Sequence, residues 1–572
     1  MVHVSEDPSA LTQIQRQRSA AHLLACAINQ VDAKAQLIKG GSTEEGFFVD
    51  FQFSTPIDQS FLQSVSAAVI SLVEEDLPID TIEMVPESAQ ALLIQNGQTL
   101  RAQELGETQA VTVEMARIAD FVDVCPWPLP LTTGELEAIQ LLELKKIAGD
   151  SRGLVMRIEG VVFSRKKQVK RYLKHLKNIQ KYDHRKIGLE QKLFYSSEYT
   201  GSNQWFWMPK GLALRESLKE TWKQSLSSSG FSFVETPSFT RTAWLHQQRI
   251  DDEGLAEIDS SSVASPFHHL FHASLFALNR NKFSEMPVKY AECSTLFATD
   301  SEQHRRGLFG SMQVLADAAT SFCQEGDVEG EVLNFLKMLK QFFASLKLDF
   351  KVEILSLPEK FHVGDLDRWV AVTKKFESAL EQAELASSIR SAYLYSGPAI
   401  IVSVVDRWER EWEMSRIVVD FNIPERLGLR YELENNELQT PIMLVCNLFS
   451  SLERLIAVLI ENHGGDWPLW IAPEQVRVIT VSKDINDYAL DLKRTLVNSG
   501  FRCELDLQSE ALGVKIHQAE QAKVPFVVVV GQKEQQKELI NVRTYKKYAR
   551  QEQMSVEALA TIMNNELSGA CK

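Results

Sequence analysis

"YAECSTLFATDSEQHRRGLFGSMQVLADAAT", residues Tyr290–Thr320, decides how the rest of the sequence is read. It runs as a strand, a polar turn, the basic pair Arg305–Arg306 and a second strand, the layout of a hairpin. A hairpin that grips a phosphate needs a fixed cation where its first strand ends. This one offers Phe297, Ala298 and Thr299 there. The form suits a phosphate, and the charge is missing.

The surroundings are those of a multidomain globular protein. A chain of 572 residues is too long for one core. Its 44% hydrophobic and 24% charged residues are ordinary for folded domains. No run of apolar residues is long enough to cross a bilayer, and the N-terminal segment lacks a signal-peptide layout, so no membrane association is expected. The seven cysteines are scattered and never paired as CxxC, which points to a reduced, cytoplasmic setting and away from zinc–thiolate clusters. A net charge of −15 argues against binding a polyanion over the whole surface.

One segment departs from that acidic background. Arg165–Lys192 holds eleven Lys or Arg against Asp183 and Glu190. Val169, Leu173 and Leu176 recur at helical spacing, predicting an amphipathic helix that joins two domains. It is either a solvated linker or an RNA-facing surface presenting Lys170, Lys174 and Lys177. Before it, "GFFVDFQF" predicts a strand and "SFLQSVSAAVISLVEED" a helix. After it lies a large mixed block. The tail, "QVRVITV", "NDYALDLKRTLVNSG", "FRCELDL", "GVKIHQAEQAK" and "VPFVVVVG", alternates strand and helix, predicting a small α/β domain with a largely parallel sheet. Gly500 stands at a helix exit, where a left-handed cap is expected.

Several pieces carry a resemblance: "YDHRKIGLEQKLF", "MPKGLALRESLKETW", "ETPSF", "VVDFNIPERLGLRYE", "IMLVCNLFSSLERLIAVLIENHGG", "WPLWIAPEQVRVITV" and "RTYKK". In this order and spacing they resemble the threonyl-tRNA synthetases, a class II family, over nearly the whole chain. The resemblance implies an α+β multidomain protein: an editing-like α+β domain at 1–163 without the ubiquitin-like domain that often precedes it, a basic linker helix at 164–193, a class II core built on an antiparallel sheet at 194–468, and an α/β anticodon-binding-like domain at 469–572. Pro237 in "ETPSF" matches a proline at the family's dimer interface. The opening hairpin matches the second class II motif and "SSLERLIAVLI" the third.

The same resemblance implies that the chemistry has been removed. The family's second-motif arginine aligns with Ala298, and its zinc ligands, one Cys and two His, with His269, Thr320 and Val445. Glutamine and aspartate positions fall on Ala316 and Ala318, a tyrosine and a lysine on Ser396 and Ala399, and two glutamines on Glu413 and Val418. Arg454 and Ser451 of the third motif persist, as do the fold-bearing Gly397, Pro398, Trp412, Asp420 and Phe421. His268 and His272, four residues apart, could share a helix face as a replacement metal pair. Of the editing tetrad, His22 and Cys125 match and Arg18 and Leu129 do not. In the tail, Glu510, Lys515, Lys523, Arg543, Lys546 and Lys547 fall at the family's RNA contacts. The expectation is a degenerate relative that binds tRNA or another structured RNA, or pairs with a synthetase as a homodimer or heterodimer, and needs no cofactor. The alternative is a working threonine–tRNA ligase requiring ATP, magnesium and zinc; a third reading is a sensor of some small ligand.

Overall fold

The computed structural model describes residues 13–43, 46–53, 57–106, 111–125, 132–147, 154–197, 199–200, 203–247, 255–265, 267–279, 281–297, 307–356, 366–391, 396–408, 410–545 and 551–570. The chain divides into two compact units, Met1–Asn178 and Ile179–Lys572.

In the first unit, four antiparallel strands lie in the order Gln36–Ser42, Phe47–Phe53, Leu154–Phe163, Ala138–Lys146. The predicted strand Phe47–Phe53 buries Phe47, Val49, Phe51 and Phe53 at period two. Asp50, on the strand's opposite face, is buried as well and is held by the Arg157 guanidinium at 2.7 and 2.9 Å. The predicted helix forms over Gln59–Glu74, started by Asp58, whose carboxylate accepts the N–H groups of Ser60 and Phe61. Its Val65, Val69 and Leu72 join Leu24 and Ile28 of the helix Gln13–Val31 in one core.

The basic segment forms two helices where one was expected, Lys166–Tyr182 and His184–Glu190. Asp183 leaves helical geometry, and its side chain accepts the Arg185 N–H, so it ends one helix and caps the next.

The second unit is centred on an eight-stranded sheet ordered Ser232–Phe233, Val288–Phe297, Gln313–Cys323, Ile442–Asn447, Glu411–Asp420, Ala399–Val405, Phe350–Ser356, Ser387–Ser391. It is antiparallel except for the outermost pair at each end. One face carries the main core, with the helices Pro209–Ser228, Val328–Ser345 and Leu452–His463 packed on it. The stripe Leu452, Leu455, Ile456, Leu459 and Ile460 of the last helix is fully buried there. On this face Asp317 accepts four hydrogen bonds, from the N–H groups of Leu448 (2.6 Å), Phe449 (3.2 Å) and Ser450 (2.9 Å) and from the Trp222 indole (3.1 Å). Glu453 likewise joins Arg215 (2.9 Å) to the Leu315 N–H (2.8 Å). Gly397 is required by space, since a Cβ there would lie 2.4 Å from the Val419 carbonyl oxygen.

The C-terminal sheet is ordered Cys503–Asp506, Val476–Thr480, Phe526–Val530, Ile540–Thr544, Glu552–Met554. The three strands read from the sequence are parallel, and two further antiparallel strands extend one edge. Gly500 takes the left-handed conformation expected of it, with φ +89°.

Candidate functional site

The register of the central strands brings the anticipated pocket positions together. Ser294 pairs with Ala316, Glu292 with Ala318 and Tyr290 with Thr320; Thr320 pairs with Val445, Val445 with Val418, and Val418 with Ala399. Paired residues point to the same side, and so do residues two apart along a strand. Positions scattered over more than a hundred residues of sequence therefore share one face, opposite the main core.

The helix His269–Ala277 begins beside this face, and a polar knot lies between them. Thr236 donates its N–H (3.0 Å) and hydroxyl (2.7 Å) to the buried Glu292 carboxylate, and Ser294 donates its hydroxyl (2.8 Å). His268 Nδ1 lies 3.6 Å from that carboxylate and His272 Nε2 3.4 Å. The two histidines do turn toward a common point, as their spacing allowed, and it is occupied by Glu292. Burial alone would raise the Glu292 carboxyl. The hydrogen bonds from Thr236 and the nearby imidazoles outweigh it and hold the group at about 2. Burial lowers His268, and lowers His269 to about 3 with help from its two histidine neighbours, so both rings stay neutral near pH 7. Phe239 stacks on Phe297 at 6.4 Å, and the Phe267 ring lies 5.1 Å from His269.

Sequence reasoning missed Glu292, Ser294 and Thr236. The face is not bare: one carboxylate and two imidazoles gather at its Glu292 end, and Ala316, Ala318, Val445, Val418 and Ala399 follow across the neighbouring strands. Of the third-motif residues, Ser451 caps the helix Leu452–His463, its hydroxyl accepting the Arg454 N–H, and Arg454 Nη1 donates to the Glu413 carbonyl at 3.2 Å. Arg416, on the same row as Val418, is held by the Glu413 carboxylate at 2.7 Å. Ala298, Arg305 and Arg306 lie outside the described residues.

The residues at the family's zinc positions do not fit that ion. Val445 has no donor atom, and the Thr320 hydroxyl is engaged with His272 Nδ1 at 2.9 Å. Asp183, His184 and Glu461 form a tight group elsewhere, but His184 is bonded through both nitrogens. Its Nδ1 bonds to Glu461 (2.6 Å) and its Nε2 accepts the Leu308 N–H (3.0 Å), so this ring braces the fold.

The expected editing remnants His22 and Cys125 are both buried in the first unit, and burial lowers the His22 imidazole; Leu129 lies outside the described residues. Pro237 is exposed. Among the anticipated RNA contacts, Glu510 is exposed and accepts from Gln518 (2.8 Å), while Arg543 is partly buried, with Nη2 3.5 Å from Gln551 Oε1. Lys515 must be reassigned. It is 2% exposed, and its ammonium donates to the carbonyls of Thr480 (3.1 Å) and Asp506 (3.4 Å), so it stitches its helix to the parallel strands and presents nothing to RNA. Lys523 also turns inward, donating to the Gly464 carbonyl at 2.5 Å. Lys546 and Lys547 lie outside the described residues. Lys170 and Lys174 are exposed on their helix; Lys177 belongs to the same helix, but its side chain is outside the described set.

Comparison with known proteins places this geometry. Residues 257–463 match the class II tRNA synthetase core domain (G, H, P, S and T), and residues 475–566 match the anticodon binding domain. The threonine–tRNA ligase of Acidithiobacillus ferrooxidans is 30% identical over 546 residues, covering 92% of this chain and 83% of that protein. That of Halorhodospira halophila is 29% identical over 581 residues, covering 99% and 89%. The crystal structure of the RNA binding domain of threonyl-tRNA synthetase from Cryptosporidium parvum shares the fold, with TM-score 0.64 at 21% identity, over 67% of this chain and 98% of that one. An identity sustained across both matched domains and beyond them leaves one conclusion: this chain belongs to the threonyl-tRNA synthetase family.

Proposed function

We propose that this family member binds tRNA, or another structured RNA, without activating threonine. One observation carries the reading: Ala316, Ala318, Thr320, Val445, Val418 and Ala399 share a single sheet face. Adenylate formation gathers negative charge on the α-phosphate, and a site for it needs converging cations and a metal. Losing one such donor costs on the order of 10² to 10³ in rate. The losses here all fall in one place, so they compound. On this reading His22 and Cys125 are remnants of an editing centre, Arg454 and Ser451 serve packing, and Glu510, Arg543, Lys546 and Lys547 remain the RNA-facing positions of the tail. The four-part division at 163, 193 and 468 follows the same reading. So does a cytoplasmic location, and a dimer through the surface around Pro237, with a second copy or with an active synthetase.

The second reading is an active threonine–tRNA ligase with an atypical pocket. It is favoured by 30% identity to a threonine–tRNA ligase over 92% of the chain and by the buried Glu292 carboxylate on the candidate site face. The test pairs threonine-dependent ATP–pyrophosphate exchange with tRNA binding by the same preparation. The proposal expects exchange at the enzyme-free level together with salt-sensitive tRNA binding. Robust exchange, or stoichiometric zinc in the purified protein, would overturn it in favour of the ligase.

A further inference from the structure

The helix Lys166–Tyr182 lies outside both segments matched by the family comparison. Two stripes run along it. Val169, Tyr172, Leu173 and Leu176 follow the i, i+3, i+4, i+7 pattern. Val169 is buried, and the Tyr172 ring lies 5.4 Å from Phe163 of the neighbouring strand. Lys167, Lys170, Arg171 and Lys174 follow the same pattern on another side, and all four are exposed. Lys166 beside them is paired with Glu137 at 3.4 Å. Among the described residues none of the four meets a carboxylate.

This arrangement works against the helix that carries it. Like charges three and four residues apart repel, and the first turn holds no acidic residue, so cations sit at the positive end of the helix dipole. In a chain of net charge −15, counter-charges for these lysines were plentiful and are not placed there. Val169 and Tyr172 of the apolar stripe are turned into the protein, and none of the stripe is fully exposed, so the exposed side of the helix is cationic and has no apolar row to insert into a lipid surface. A rigid row of four cations, spanning about 10 Å at the helical rise, suits consecutive backbone phosphates.

We infer that Lys167, Lys170, Arg171 and Lys174 form a phosphate-binding stripe for the backbone of a structured RNA. The inference rests on the RNA-binding reading and adds a surface to it. The stripe contributes affinity and orientation and reads no base.

The full-length protein is titrated with a labelled threonine tRNA and with an unrelated tRNA, from 50 to about 300 mM salt, where phosphate contacts dominate. The variant Lys167→Gln/Lys170→Gln/Arg171→Gln/Lys174→Gln is expected to bind both tRNAs at least about tenfold more weakly at 100 mM salt. Its slope of log affinity against log salt should flatten by about 3 to 4. The variant Lys337→Gln/Lys374→Gln, which removes exposed cations elsewhere, should leave both quantities unchanged. Removing mutual repulsion should not unfold the helix; Lys170→Glu/Lys174→Glu, with only two substitutions, should weaken binding in the same direction and flatten the slope by about 2. If wild-type protein binds tRNA and the stripe variants keep its affinity and slope, the stripe is refuted and the RNA-binding reading stands. If wild-type protein binds neither tRNA at low salt, the RNA-binding reading falls first and takes the stripe with it.

Discussion

On one face of the eight-stranded sheet, Asp317 gathers four donors and Glu453 joins Arg215 to the same strand at Leu315. On the other, the alternate positions along the same strand carry Ala316, Ala318 and Thr320. The strands are shared, so backbone geometry cannot explain the contrast. What differs is the work of the polar groups. Those on the core face satisfy main-chain donors that folding has cut off from water, and removing them exposes that debt at once. The alanine and valine positions of the other face carry no polar group, so no main-chain donor there depends on them. The Glu292 knot is the exception, and there too the carboxylate is saturated by local donors.

The comparison can be broken first at Asp317. Replacing it by Ala strands three backbone N–H groups and an indole, and should cost about 3–5 kcal/mol in urea unfolding. A loss under about 1 kcal/mol would mean that the clamp is ornamental. Next come two adjacent residues on opposite faces. Ile417→Ala, fully buried in the core, should cost about 2–4 kcal/mol. Val418→Ala, partly buried on the site face, should cost about 1 kcal/mol. Equal costs would erase the distinction between the faces.

Smaller and more pointed is the acid response of Glu292. Its carboxyl lies at about 2 in the folded chain against an ordinary 4.5, so the folded state binds its proton less readily. Its contribution is therefore present above pH 4.5 and lost as pH falls toward 2. Between pH 7 and pH 3, wild type should lose about 2 kcal/mol more than Glu292→Gln. Parallel losses would show that the knot does not hold an ionised carboxylate. A comparably modest effect is expected at Lys515, where Met should cost about 1 kcal/mol through two carbonyls left without their donor. The salt slope of tRNA binding should stay at its wild-type value; a shallower slope would return Lys515 to the RNA surface.

Much of this architecture was legible in the sequence because it depends on local period. The alternation in "GFFVDFQF" and the strand–helix rhythm of the tail became the elements they suggested. The hairpin could also be read; the list of pocket positions came with the family resemblance, and the register of the paired strands brings them to one face. Other features depended on neighbours remote in sequence. Glu292 is a lone carboxylate in a strand until Thr236 and two histidines, from separate segments, close on it. Lys515 looks like any surface lysine of a polar helix until the ends of two parallel strands offer it carbonyls. The two antiparallel strands that extend the tail lack a pattern strong enough to announce them. The break at Asp183 did carry a signal, an Asp before a fresh turn of helix, and a capping argument would have found it.

The Asp317 clamp has one more consequence. By tying residues 448–450 to the middle of the hairpin, it fixes the relative placement of the second and third motifs without help from any substrate. The scaffold is therefore ready to accept transplanted side chains. On the proposed reading, arginine, glutamine, aspartate and histidine placed at the alanine and valine positions would arrive on strands already in register, so testing whether they support adenylate formation is a problem of decoration and not of refolding.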